Sequence, residues 1–255
     1  MKGAALVAEI LRREGTEFIS CYPRNPVIEE CAKLGIRPIL CRQERVGVGI
    51  ADGYTRIRRG KVNGVFAAQA GPGIENAFPG VAQAFSENVP ILILPGGLGS
   101  SRQYRHPTFS AVDVFSPITK WSARAHSVEA IPDLMRQAYH AMRTGKGGPV
   151  LLEIPFEVWD EEFNGELIYE PVKPYPLAPD RSAIAEGVRM LLEANNPILW
   201  AGQGVLYAEA SEAVAKLAEL IPAPVMMTNP GKSAIPESHP LSLGGSQRYL
   251  GSPKA

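Results

Sequence analysis

Three short stretches hold the residue types that could do chemistry. "CRQER" (41–45) sets one carboxylate, Glu44, between the apolar run "IRPIL" and the glycine-bearing, largely apolar run "VGVGIADGYTRI". "AQAGPGIENAF" (68–78) gathers Gly71, Pro72 and Gly73 into a tight loop whose backbone can approach a ligand, with Asn76 just inside the following helix. "CYPRNP" (21–26) presents Tyr22 and Pro23 ahead of Asn25, a helix N-cap, and Pro26, at the first helical position. Each stretch alone also has a purely structural meaning. Acids favour helix N-termini because the dipole there is positive, and glycine–proline turns are common between strands and helices.

Other chemistries find less support. "AGQGVLYAEA" (201–210) follows a strand and opens a helix, but after Gly202 and Gly204 the third small residue falls one place late, at Ala208. No suitably placed acid follows, so a nicotinamide fingerprint is defective and a tight packing turn is the better meaning. "GKS" (231–233) lacks the glycine of a phosphate loop, because Met226 stands there. His106, His126, His140 and His239 show no metal-binding spacing, and no Gly-x-Ser-x-Gly elbow occurs.

The elements that must position the three stretches alternate regularly. Leu6, Val7, Ile10 and Leu11 line one face of a first helix that stops at Gly15; "EFISCY", a helix closing at Gly35, and "RPILC" follow. Strand and helix then alternate through "VNGVFAAQ", "VPILILPG", "PITKWSARAH" and "GPVLLEIP". Strands this continuously apolar need cover on both faces, which predicts an α/β fold with a doubly wound, mostly parallel sheet. All three stretches fall at carboxyl ends of predicted parallel strands, where open sheets place ligand sites.

The first domain is expected over 1–159. An acidic, then proline-rich stretch, 160–180, reads as an extended linker, and 181–255 as a partial second, Rossmann-like α/β domain with only two strands. A chain of 255 residues, 45% hydrophobic and 20% charged, can bury a substantial core. Lys plus Arg equals Asp plus Glu at 26 each, so no net field would gather nucleic acid. The N-terminal segment mixes charges into a helical pattern, which is neither a signal peptide nor a membrane span. Cys21, Cys31 and Cys41 are too few and too odd for a disulfide framework, so a reducing cytoplasm fits.

In this order and spacing, "CYPRNP", "CRQER", "VGVGIADGYTRIRRGK", "AQAGPGIEN", "AFSENVPILIL", "SPITKWS", "GKGGPVLLEIPFEVW" and "NPGKSAIPESHPLSLG" resemble the N-terminal half of the thiamine diphosphate enzymes, specifically the acetolactate synthase and benzoylformate decarboxylase group. The resemblance runs from the first helix to about residue 250. It makes residues 1–159 the pyrimidine-binding domain and 181–255 part of the central domain. It implies that Glu44 meets the ring nitrogen of the cofactor's aminopyrimidine and promotes its imino tautomer, a role suited to a carboxyl group set between apolar elements. Tyr22 and Pro23 would line the pocket, and Pro72 and Asn76 would contact the pyrimidine. Two departures stand out. Phe109 is followed by Ser110 where acetolactate synthases carry an active-site glutamine, and Arg24 and Asn25 replace the two glycines usual after the first loop's proline.

The implied activity is acetolactate synthase-like carboligation of 2-oxo acids such as pyruvate, with a benzoylformate-type decarboxylase as the enzyme alternative. A non-catalytic fragment that binds a partner chain is the alternative of another class. Family members hold Mg2+ and the diphosphate through a C-terminal domain marked by "Gly-Asp-Gly"; no such string occurs here, so that domain is expected to be missing from this chain. A homodimer, a homotetramer or a second chain carrying that domain would complete the site. Some members also bind FAD in the central domain, a point these residues leave open.

Overall fold

The computed structural model describes residues 1–103, 105, 107–175 and 177–245; His106 and the end of "GGSQRYLGSPKA" lie outside the described residues. The chain divides into two units, Met1–Pro176 and Leu177–Ala255.

In the first unit, α1 (Gly3–Arg13), β1 (Phe18–Cys21), α2 (Val27–Lys33), β2 (Arg37–Leu40), α3 (Glu44–Ile57), β3 (Val65–Ala68), α4 (Pro72–Ser86) and β4 (Leu92–Gly97) follow in turn. They are followed by α5 (Ala111–Phe115), β5 (Trp121–Arg124), α6 (Ile131–Arg143), β6 (Val150–Pro155) and α7 (Phe156–Asp160). Six strands form one parallel sheet in the order β2-β1-β3-β4-β6-β5. Period-two alternation splits its side chains between two cores. Val65, Ala67, Leu92, Leu94, Val150 and Leu152 join Leu6, Ile10, Leu11, Met135 and Tyr139 from α1 and α6. Phe66, Ala68, Ile93 and Leu151 join Val48, Ala51, Ile74, Val81 and Phe115 from α3, α4 and α5.

Both expected glycine stops, Gly15 and Gly35, adopt φ +79°. The "CRQER" stretch does not follow a buried strand, however: β2 is an edge strand, and its Leu40 is 65% exposed. The α2 helix begins one residue later than expected, at Val27, with Asn25 Oδ1 still accepting from the Val27 amide (3.1 Å).

Of residues 160–180, expected to be linker, those up to 175 lie with the first unit and those from 177 with the second. The Gly3 amide donates to Glu161 O and the Phe163 amide to Met1 O. Phe163, Leu167 and Val172 pack on the α1/α6 core. Tyr169 is buried, and its hydroxyl donates to Glu14 Oε1 at 2.6 Å, while Arg143 Nη1 reaches both Glu14 Oε2 and Val172 O at 2.6 Å. A carboxylate withdrawn from water needs such donors; the Tyr169 hydroxyl and the Val172 amide come from this strap of residues 161–175, and the Arg143 guanidinium from α6.

The second unit contains α8 (Arg181–Glu193), β7 (Leu199–Ala201), α9 (Gly204–Tyr207), α10 (Ser211–Leu220), β8 (Val225–Met227) and β9 (Ser242–Gly245). Its sheet has three parallel strands, β7-β8-β9, rather than the two expected. The third, "SLGG", carries too little apolar signal to read as a strand alone; pairing with β8 makes it one. The close-packed glycine near "AGQG" is Gly231, where a Cβ would lie 2.5 Å from Ala201 O.

Candidate functional site

The strand order reverses at β1, whose neighbours are β2 and β3. A parallel sheet opens its crevice at the carboxyl ends of such strands, because their connections leave on opposite faces. The loops after β1, β2 and β3 are "YPRNP", "CRQ" and "QAG".

Glu44 is the first residue of α3 and is buried, with 6% of its surface exposed. Since β2 is an edge strand, this burial comes from how α3 is seated. A Cβ on Gly47 would lie 2.4 Å from the Phe66 ring, so only glycine lets the first turn of α3 rest on β3. Ser20 Oγ, buried in β1, donates to Gly47 O at 2.7 Å. One residue further, Gly80 of α4 admits Val48, from which a Cβ there would lie only 2.9 Å away. Gly49, two residues after Gly47, has nothing within 4 Å of its Cβ position.

The structure brings Asn76 to Glu44: Asn76 Nδ2 donates to Glu44 Oε2 at 2.6 Å. Gly71 holds φ +65° and ψ −120°, a conformation available essentially to glycine, and this turn delivers Pro72 to the exposed first position of α4. Gly73 faces the carboxylate, because a Cβ on it would lie 3.4 Å from Glu44 Oε1 and 2.5 Å from Gln69 Cγ. Tyr22 continues β1, its amide donating to Ala67 O, and alternation places it on the same face as Ser20. Pro23, in the loop that follows Tyr22, lines a cavity of about 640 Å³ with Ile28, Leu40, Phe156 and Trp159, whose lining does not include Glu44.

Two functional residues were not legible in advance. Asn25 is more than a cap: its buried Nδ2 donates to Ala68 O and Leu94 O, each at 2.9 Å, and so fastens the β1 loop to the end of β3 and the middle of β4. Arg24 beside it holds φ +74°, the left-handed conformation that explains a glycine preference there. Ser20 was equally silent, since a serine in a strand signals nothing until α3 lies over it. Among the described residues, no three His, Cys, Asp or Glu side chains come together to hold a metal ion, and no helix is long and apolar enough to cross a membrane.

Comparison with known proteins agrees with this geometry. The family description "Thiamine pyrophosphate enzyme, N-terminal TPP binding domain" matches residues 1–116, and that of the family's central domain matches residues 184–255. The chain is 34% identical to a glyoxylate carboligase of Escherichia coli O157:H7, with 96% of this chain and 42% of the relative covered. It is 33% identical to an acetolactate synthase of Arthrospira platensis, with 95% and 44% covered. A provisionally assigned thiamin diphosphate-dependent enzyme from Mycobacterium smegmatis superposes with a TM-score of 0.84 at 25% identity, over 96% of this chain and 48% of that one. The chain thus spans less than half the length of the curated relatives it matches. With its six-stranded parallel sheet and both domain matches in order, the chain belongs to the thiamine pyrophosphate enzyme family.

Proposed function

We propose that this chain supplies the pyrimidine-binding part of a thiamine diphosphate-dependent enzyme acting on 2-oxo acids such as pyruvate, with acetolactate synthase-like carboligation as its reaction. The observation that carries this is the buried Glu44 carboxylate, held through Oε2 by Asn76 at 2.6 Å. Its second oxygen, Oε1, has no protein partner among the described residues and faces Gly73, where a Cβ would fill the space. That space fits a flat heterocycle offering a ring nitrogen.

When bound, thiamine diphosphate supplies an acidic thiazolium carbon and an electron sink for chemistry next to a carbonyl. Glu44 would hold a proton between Oε1 and the pyrimidine nitrogen, while Asn76 keeps the carboxylate turned toward it. Gly71, Pro72 and Gly73 would bring backbone close to the ring, and Tyr22 and Pro23 would belong to the pocket's first loop. Magnesium would be bound with the diphosphate by oxygen ligands of the family's C-terminal domain, in a partner subunit of a homodimer or homotetramer or in a second chain. A cytoplasmic setting suits three free thiols.

The test is pyruvate turnover by the holoenzyme containing this chain, with product identified. Glu44→Gln should lower kcat by about 10²–10⁴-fold while calorimetric affinity for thiamine diphosphate stays within a few-fold. Full turnover by Glu44→Gln would overturn the role of Glu44. Release of free aldehyde in place of an acetohydroxy acid would move the reaction to the decarboxylase class.

A further inference from the structure

A second buried charged group lies at the carboxyl end of the sheet, away from Glu44. Arg124, the last residue of β5, and Glu153 of β6 are register partners, and Arg124 Nη1 is paired with Glu153 Oε1. Their side chains are only 12% and 4% exposed. The same guanidinium donates through Nη2 to Leu98 O, the first carbonyl after β4. Gly97 makes room for the carboxylate, since a Cβ there would stand 2.6 Å from Glu153 Oε1. On the other side, the first turn of α5 packs against β6, and the Ala111 and Val112 amides there favour the charged form of Glu153 while Asp113 opposes it. Burial is the largest influence and pushes the Glu153 carboxyl up from its ordinary range. Glu153 Oε2 is itself buried with no hydrogen-bond partner among the described residues.

Burying two charges is costly, and an apolar pair of equal volume often packs as well or better. An apolar pair could not grip Leu98 O. The grip matters because the described ends of the β4–α5 connection lie against the β3 loop and, through Phe115, against α4. Gly96, just before its start, lies against Ala70 of the β3 loop, with a Cβ position 3.4 Å from Ala70 N. At its end, Phe109 meets Phe115 edge-on at 6.5 Å, and Phe115 meets Phe78 of α4 at 5.3 Å. Phe78 is two residues beyond Asn76.

We infer that the Arg124–Glu153 pair is a positioning device that joins the exit of β4 to the entry of α5 and so sets Phe109 and Ser110 beside the substrate crevice. It acts through these neighbours and touches neither Glu44 nor Asn76. Its effect on activity rests on the function proposed above; its effect on the polypeptide does not.

The experiment therefore has two arms, using Glu153→Gln and a double variant, Arg124→Met with Glu153→Met, which removes both charges while keeping apolar volume. In hydrogen exchange, peptides spanning 107–115 should exchange about tenfold faster in both variants, with β6 and α6 unchanged. In the holoenzyme, KM for pyruvate should rise about five- to tenfold, with kcat and thiamine diphosphate affinity within about twofold. Unchanged exchange at 107–115 in the folded double variant, or exchange raised uniformly over the sheet, would overturn the inference. So would an unchanged KM in an active variant. An unmodified protein that does not turn over pyruvate refutes the proposed function, and the exchange arm then decides the positioning role alone.

Discussion

Gly47 and Gly49 lie two residues apart on α3, and substituting alanine at each should shift stability in opposite directions. At Gly49 the Cβ position is open, so Gly49→Ala gains helix propensity of about 1 kcal/mol at no steric cost. At Gly47 the new Cβ would sit 2.4 Å from Phe66 Cε2 and 2.7 Å from Cδ2. Phe66 is fully buried and cannot swing away, so overpacking of about 2–3 kcal/mol outweighs the same propensity gain. The net loss is about 1–2 kcal/mol. For a unit of this size each kcal/mol moves Tm by about 2–4 °C, so Gly49→Ala should melt higher and Gly47→Ala lower. Circular dichroism melts of the chain read both. Adding Phe66→Leu to Gly47→Ala should recover part of the loss, a coupling that a double-mutant cycle measures. Two alanines with equal effects, or no coupling to Phe66, would refute the idea that α3 is seated by that close approach. Because α3 begins at Glu44, Gly47→Ala should also lower turnover more than its stability loss explains.

Asn25→Ala should cost about 2–4 kcal/mol in urea unfolding, because it strips donors from two buried carbonyls, Ala68 O and Leu94 O. Arg24→Gly should instead stabilise slightly, by about 1 kcal/mol, by relieving the left-handed backbone. Tyr169→Phe should cost about 1–3 kcal/mol, since Glu14 loses a donor at 2.6 Å while remaining buried; a variant as stable as the parent would show the strap to be loosely attached. Burial pushes the Cys31 thiol up to about 12 and Cys21 to about 11, so both should resist a disulfide reagent at pH 8 in the folded chain. Cys41, half-buried and less perturbed in its surroundings, should react first, with all three reacting after denaturation.

Much of the architecture was legible from local chemistry. The alternation of apolar strands with helical periods, punctuated at Gly15 and Gly35, carries the parallel α/β fold, because period and turn chemistry are properties of neighbouring residues. The meeting of Glu44 with the "GPGIEN" loop could be anticipated too, since both stretches end strands at one edge of one sheet. What needed the tertiary structure was everything set by partners distant in sequence. That Asn25 bridges two strands at carbonyls 43 and 69 residues away, that Gly47 faces a ring while Gly49 faces open space, and that β2 is an edge all depend on strand order. The prolines of 160–180 suggested an extended linker, and residues 161–175 form no helix or strand. Its burial was invisible because Glu14, the charge it covers, is more than 150 residues away. Local sequence selects the elements; only their assembly decides which polar atoms lose water and must find one another.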